Sequence, residues 1–152
     1  MRSIYDNVTA TGFAAAFNTT GALITTGASV DTKGYNTGVL RVFTSTVGAG
    51  LAVGTGGSLT AVLQESTDGS TWTTATDNNS ETIGGTITAT TSAVIGSYRI
   101  EGLGTNRDRY LRVVTTAAFG GAAAVTRQFT SAAVIELGRA YQLPVNTDVS
   151  NT

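Results

Sequence analysis

Short runs of threonine, valine and isoleucine, broken at close intervals by glycine, asparagine and aspartate, extend through nearly the whole chain. This texture constrains the fold more than any other feature. β-Branched side chains are stiff at χ1 and pack well on a pleated surface. Glycine supplies the positive φ that tight turns need, and the chain has 19 glycines against one proline, Pro144. Strand-like runs separated by turn residues are the pattern of a sandwich or barrel. No fixed-period repeat interrupts it, and 152 residues is the length of one domain.

The pattern predicts strands at 23–30, 37–46, 58–66, 71–76, 82–91, 93–101, 109–118 and 124–137. In Val39-Leu40-Arg41-Val42-Phe43 only Arg41 is polar, which places this strand near a sheet centre. Leu59, Ala61 and Leu63 share one face by the two-residue strand period. Leu111 and Val113 point one way and Arg112 the other. Segment 131–143 could also form a short helix, but Val134 and Ile135 are β-branched and the strand reading is preferred. About eight strands fit an all-β, single-domain jelly roll or related β-sandwich. The Gly-rich stretch 48–57 reads as a loop, because strand patterns resume directly after it.

The sharpest local signal is Ser66-Thr67-Asp68-Gly69-Ser70-Thr71-Trp72. Asp-Gly between two strand patterns predicts a hairpin with a type I′ turn, whose two central residues have positive φ. Asp68 is expected to brace that turn through its side chain. The alternating acidic spacing of a calcium loop is missing. Trp72 then either caps the core or stands out as an anchor for a partner.

The residues that are missing exclude much chemistry. There is no histidine and no cysteine, so no Ser-His-Asp triad, Cys-His pair, His-ligated zinc site or disulfide can be built within the chain. No cofactor or metal is expected. Two carboxylates such as Glu65 and Glu101 could in principle flank a glycosidic bond, but turn and solvent roles for the acidic residues are preferred. The glycines at 48–50 and 54–57 do not complete a phosphate-binding motif. With 9 basic and 10 acidic residues the net charge is -1, which gives no electrostatic footprint for nucleic acid or an anionic membrane. The opening residues lack the apolar run of about 7–15 residues that a secretory signal needs, so the mature protein is expected to begin near Met1 and to be made in a cytoplasm. Charged residues are only 12% of the chain, about half the usual share, and part of the surface is therefore expected to be covered by a partner.

Lys33 is the one lysine, so arginine supplies nearly all the positive charge. Arginine is enriched at interfaces where lysine is depleted. Arg107, Arg109 and Arg112 are the clustered candidates for an interface. The terminal segments are the other candidates: residues 1–20 as an N-terminal arm carrying Tyr5, Phe13 and Phe17, and residues 138–152 as a C-terminal extension carrying Tyr141 and Leu143. Residues 21–137 form the sandwich core in this division.

The 66–72 hairpin and the later Asn106-Arg107-Asp108-Arg109-Tyr110-Leu111-Arg112-Val113-Val114 strand, in that order and spacing, resemble the capsid cement (decoration) protein family of short-tailed bacteriophages. The extended opening before Leu23-Ile24-Thr25-Thr26-Gly27-Ala28 is compatible with it. The resemblance spans about residues 20–137, and segment 138–144 has no counterpart in it. It implies a jelly roll on the outer surface of a virion, a homo-oligomer (dimer or trimer), and the major capsid protein as partner. It carries no catalytic residues. A tail or fibre component and a carbohydrate-binding β-module are the rival readings of the same hairpin.

Overall fold

Why every second residue in the long strands is apolar becomes plain in the computed structural model, which describes residues 8–18, 23–44, 57–88, 94–119 and 128–138. The described residues form ten strands and no helix: β1 (Val8–Asn18), β2 (Leu23–Thr26), β3 (Val30–Asp31), β4 (Thr37–Thr44), β5 (Gly57–Ser66), β6 (Thr73–Thr74), β7 (Gly84–Thr88), β8 (Val94–Ile100), β9 (Tyr110–Phe119) and β10 (Gln128–Gly138). All pairings between them are antiparallel.

Two sheets face each other. The first has the order β1-β10-β4-β8. The second has β9 and β5 at its centre, with β2 and β3 along the free side of β9 and β6 and β7 along that of β5. Counting β2 with β3, and β6 with β7, as interrupted single strands reduces ten to eight. In that numbering the sheets read 1-8-3-6 and 2-7-4-5, the strand order of a jelly roll.

The core is the strip where the sheets meet. On β4, Leu40 and Val42 are fully buried, while Val39, Arg41 and Phe43 between them are half-exposed. On β5, Leu59, Ala61 and Leu63 have no exposed surface. Leu111, Val113 and Ala117 on β9, and Ala133, Ile135 and Leu137 on β10, complete both walls. Ile100 and Leu103 close one end. Such faces exclude helix, because a helix would scatter these period-two positions around its circumference.

Most expected strands are present, and 131–138 is strand, as preferred. β4 is an inner strand of its sheet, and Arg41 points out of it. The Gly-rich stretch 48–56 lies outside the described residues. Two differences have physical causes. Residues 8–18, expected within an extended arm, form β1 and pair with β10 in unbroken register from Val8↔Gly138 to Asn18↔Gln128. The Thr/Ala/Phe composition of this segment is compatible with a strand, and the pairing satisfies one side of its backbone. The Asp-Gly turn is not type I′: Gly69 has φ +75°, but Ser80 is the one described non-glycine residue with positive φ, so Asp68 does not have it. Side-chain hydrogen bonds hold this turn instead, as described below.

Gly84 enters β7 with φ +135°, and a Cβ there would be driven into the Ala61 carbonyl oxygen. Gly34, at φ +86°, has open space around the same position. Gly34→Ala should therefore cost about 1–2 kcal/mol, from backbone conformation alone. Gly84→Ala should cost about 3 kcal/mol or more, because clash adds to conformation and β7 must shift against β5. Urea unfolding of the two variants checks the order; equal losses would show that the close approach at Ala61 does not matter.

Candidate interaction surface

The three clustered arginines leave their cluster in three directions. After β8 the chain turns through Gly102 and Gly104, at φ +75° and +79°, with the Asn106 N–H donating to the Gly102 carbonyl at 2.9 Å. This turn aims Arg107 inward. Its Nε donates to the Glu101 carbonyl at 2.8 Å, its Nη1 to Glu65 at 3.1 Å and its Nη2 to the Thr76 carbonyl at 2.7 Å. The side chain is 7% exposed. Three of the Arg107 donors are thus used inside the chain, tying the 101–107 turn to the end of β5 and the segment after β6.

Arg109 forks onto Asp31 beside β9, with Nε to Oδ1 at 3.0 Å and Nη2 to Oδ2 at 2.6 Å. Its backbone carbonyl accepts from the N–H and hydroxyl of Thr32 at 2.9 and 2.7 Å. This clamps β3 to the start of β9. The pair is half-exposed. The Arg109 guanidinium hydrogen bonds, followed by the Lys33 N–H, hold Asp31 at about 2, below its ordinary 3.8. The same pairing raises Arg109.

Arg112 lies on the outer face of the second sheet. Its Nε donates to Gln64 at 2.8 Å, and the guanidinium sits 4.3 Å from the Trp72 ring centroid. Trp72 thus takes neither expected role cleanly. It is half-buried outside the core and packs through a cation–π contact on Arg112.

The Asp68 turn is built by its carboxylate, as expected. Oδ2 accepts from the Ser70 hydroxyl at 2.7 Å; Oδ1 accepts from the Thr71 and Ser70 N–H groups at 2.9 and 2.8 Å and from the Ser66 hydroxyl at 2.9 Å. These donors, the Ser70 hydroxyl foremost, hold Asp68 well below the usual carboxylate range. Arg107 joins Glu65 through its carboxylate but Glu101 through its backbone carbonyl. Glu65 takes the guanidinium and the Asp108 N–H, and Glu101 takes Arg99 and the Asn78 amide.

Of the terminal candidates, Phe13 and Phe17 lie on β1 opposite Ala133 and Phe129. Tyr5, Tyr141 and Leu143 lie outside the described residues.

The exposed faces were not singled out from the sequence. On the first sheet, Phe43 is flanked by Ile95 and Ala132 in one cross-strand row, and Arg41 by Ser97 and Val134 in the next. Ile95 is 62% exposed. Arg41 bonds Glu136 at 2.9 Å at the polar end of this face. On the second sheet a row runs from Ile24 through Thr116 and Thr60 to Thr86, with the Thr60 and Thr86 hydroxyls 2.8 Å apart. Ile24 is 67% exposed. The signal was present in β8, where Ile95 shares parity with Ser97 and Arg99 and must face outward with them.

No protein-family model and no curated protein matches the chain. Among solved structures it is similar to the PBSX exported protein XepA, with 15% identity and a TM-score of 0.43 over 95% of this chain and 41% of that one. It is also similar to the structure of infectious bursal disease virus Gx strain, with 14% identity and a TM-score of 0.48 over 90% and 33%. A third is Desmodium yellow mottle tymovirus, with 14% identity and a TM-score of 0.34 over 87% of each chain. The chain spans less than half the length of the first two. The jelly-roll assignment rests on the strand order given above.

Two outcomes follow from the ionic ties. Arg107→Ala should cost about 3 kcal/mol in urea unfolding, since it strands the little-exposed Glu65 carboxylate and two carbonyls. Arg107→Lys should recover only part of this, because lysine cannot fork. The pKa values of Asp31 and Asp68 are depressed in the folded state. The stability they contribute is therefore present above the unfolded carboxylate range and lost as pH falls from about 4 towards 2. The urea midpoint of the wild type should drop across that window, and the drop should be smaller in Asp31→Asn. An unchanged drop would mean that the Arg109 fork contributes nothing to folding.

Proposed function

We propose that this chain is a bacteriophage virion structural protein, a capsid cement that binds the outer surface of the major capsid shell and bridges neighbouring subunits. The observation that carries the reading is the pair of outer faces. Each presents a large exposed aliphatic side chain, Ile95 or Ile24, within a cross-strand row of uncharged neighbours. Large exposed aliphatics in such company favour contact with another surface. The resemblance of the 66–72 hairpin and the 106–114 strand to cement proteins supports the same reading.

The work would be mechanical. The described arginines are largely tied to carboxylates, carbonyls or an aromatic ring of the same chain, so the sandwich is a stiff block. Contact made only on the assembled shell stabilises that shell by mass action. Several weak contacts spread over neighbouring subunits add up without any one being strong. Nothing in this requires a reacting group, in keeping with a sequence that contains no histidine or cysteine.

The test is sedimentation of purified protein with phage heads that lack it. Saturable co-sedimentation at about micromolar protein is expected. Ile95→Glu or Ile24→Glu should weaken binding about tenfold or more, about 1.4 kcal/mol, with the fold unchanged by circular dichroism. Heads that leave the protein in the supernatant would overturn the cement reading. Antibody label confined to the tail of intact particles would replace it with a tail role.

A further inference from the structure

An open strand edge is a row of unpaired N–H and C=O groups, and folds usually blunt such edges with short strands, charges, proline or bulges. Among the described residues such a device is present at every edge but one. The outer strands of the second sheet have four, two, two and five residues (β2, β3, β6 and β7). At one side of the first sheet, β8 is seven residues long and carries the exposed Arg99.

At the opposite side stands β1. It is eleven residues long, VTATGFAAAFN, with no charged residue and no proline. It pairs with β10 one-to-one throughout, so no bulge twists it away. Among the described residues it has one neighbour, β10.

We propose that β1 pairs along this open edge with β1 of a second copy, antiparallel about a two-fold axis, joining two four-stranded sheets into one of eight strands. The identity of the occupant follows from charge and symmetry. Antiparallel pairing about a two-fold axis sets the strand against its own image, so a charged residue near the axis would meet the same charge across it. Residues 8–18 contain none. The pairing also closes on itself, since it consumes both β1 edges and stops at two. Pairing of β1 with β8 of another copy would instead leave a free edge at each end and grow into fibres, and β8 carries the charge of Arg99. This dimer does not rest on the shell-binding reading, and its test contains no shells.

Sedimentation equilibrium of the full chain, without heads, should give a reversible monomer–dimer system at about micromolar concentration. Hydrogen exchange should locate the contact: β1 amides that do not bond β10 should exchange about tenfold or more slower in the dimer than after dilution, while β8 amides do not change. Ala14→Lys should shift the protein to monomer with its β circular dichroism retained. The exchange experiment on the wild type stands by itself if that variant does not fold. A protein that stays monomeric, one that forms open-ended fibres, or one whose dimer leaves β1 exchange independent of concentration would each overturn the proposal.

Discussion

The rest of the structure depends on one constraint, the burial of alternate residues along four long strands. β4, β5, β9 and β10 each send aliphatic side chains to the same shared strip. A slip of one residue in any of them would turn its buried set out to solvent. Register is therefore fixed by the core. The cross-strand rows on the outer faces follow as a consequence: once Val42 faces in opposite Gly96, Phe43 and Ile95 must face out together.

The ends of the sandwich need a different solution, since turns cannot bury enough apolar surface to fix themselves. Here the chain uses its few charges. Arg107 gathers the ends of three segments, Arg109 clamps β3, and Asp68 organises its own turn with four donors. A single deletion within such a set leaves partners stranded. Part of the low charge content is thus used where sheet pairing cannot reach, while Arg41, Arg99, Arg112 and Glu136 stand on the strands themselves. That is why arginine outnumbers lysine: a planar fork can bridge two carbonyls and a carboxylate, and an ammonium on a flexible stem holds such a geometry poorly.

What the sequence disclosed follows from this division. Strand positions and inward faces were legible at Leu59, Ala61, Leu63, Leu111 and Val113, because the period-two pattern is local and the core only selects its sign. The bracing role of Asp68 was legible because it acts on residues within three positions. The turn type was not, since Asp-Gly reports a tendency that the Ser66 and Ser70 hydroxyls redirect. The fate of the arginines was not legible either. Arg107 reaches Glu65 across 42 positions and Arg109 reaches Asp31 across 78. Nothing local in the sequence marks those encounters, so a cluster on paper became three separate ties. β1 was missed because Ala-rich and Thr-rich segments have weak strand patterning. Its place is set by β10, which could be known only with the sheet assembled.

The same division of charges governs what the molecule presents outward. A jelly roll whose ionic groups are largely turned to its own loops keeps few charges for its faces, and a free protein with such faces is prone to association. Specific contact then requires that association be limited by shape. Short strands limit it at the margins of the second sheet, and the charge of Arg99 limits it at β8. Among the described residues β1 has β10 as its one neighbour, and the strand is long, regular and uncharged, the condition under which pairing is strongest. Among the described residues the capacity for backbone pairing is therefore concentrated at this one edge. The outer faces, with Ile24 and Ile95, remain free when that edge is filled, because edge pairing covers neither face of a sheet. Assembly through the edge and contact through a face are therefore compatible in one molecule.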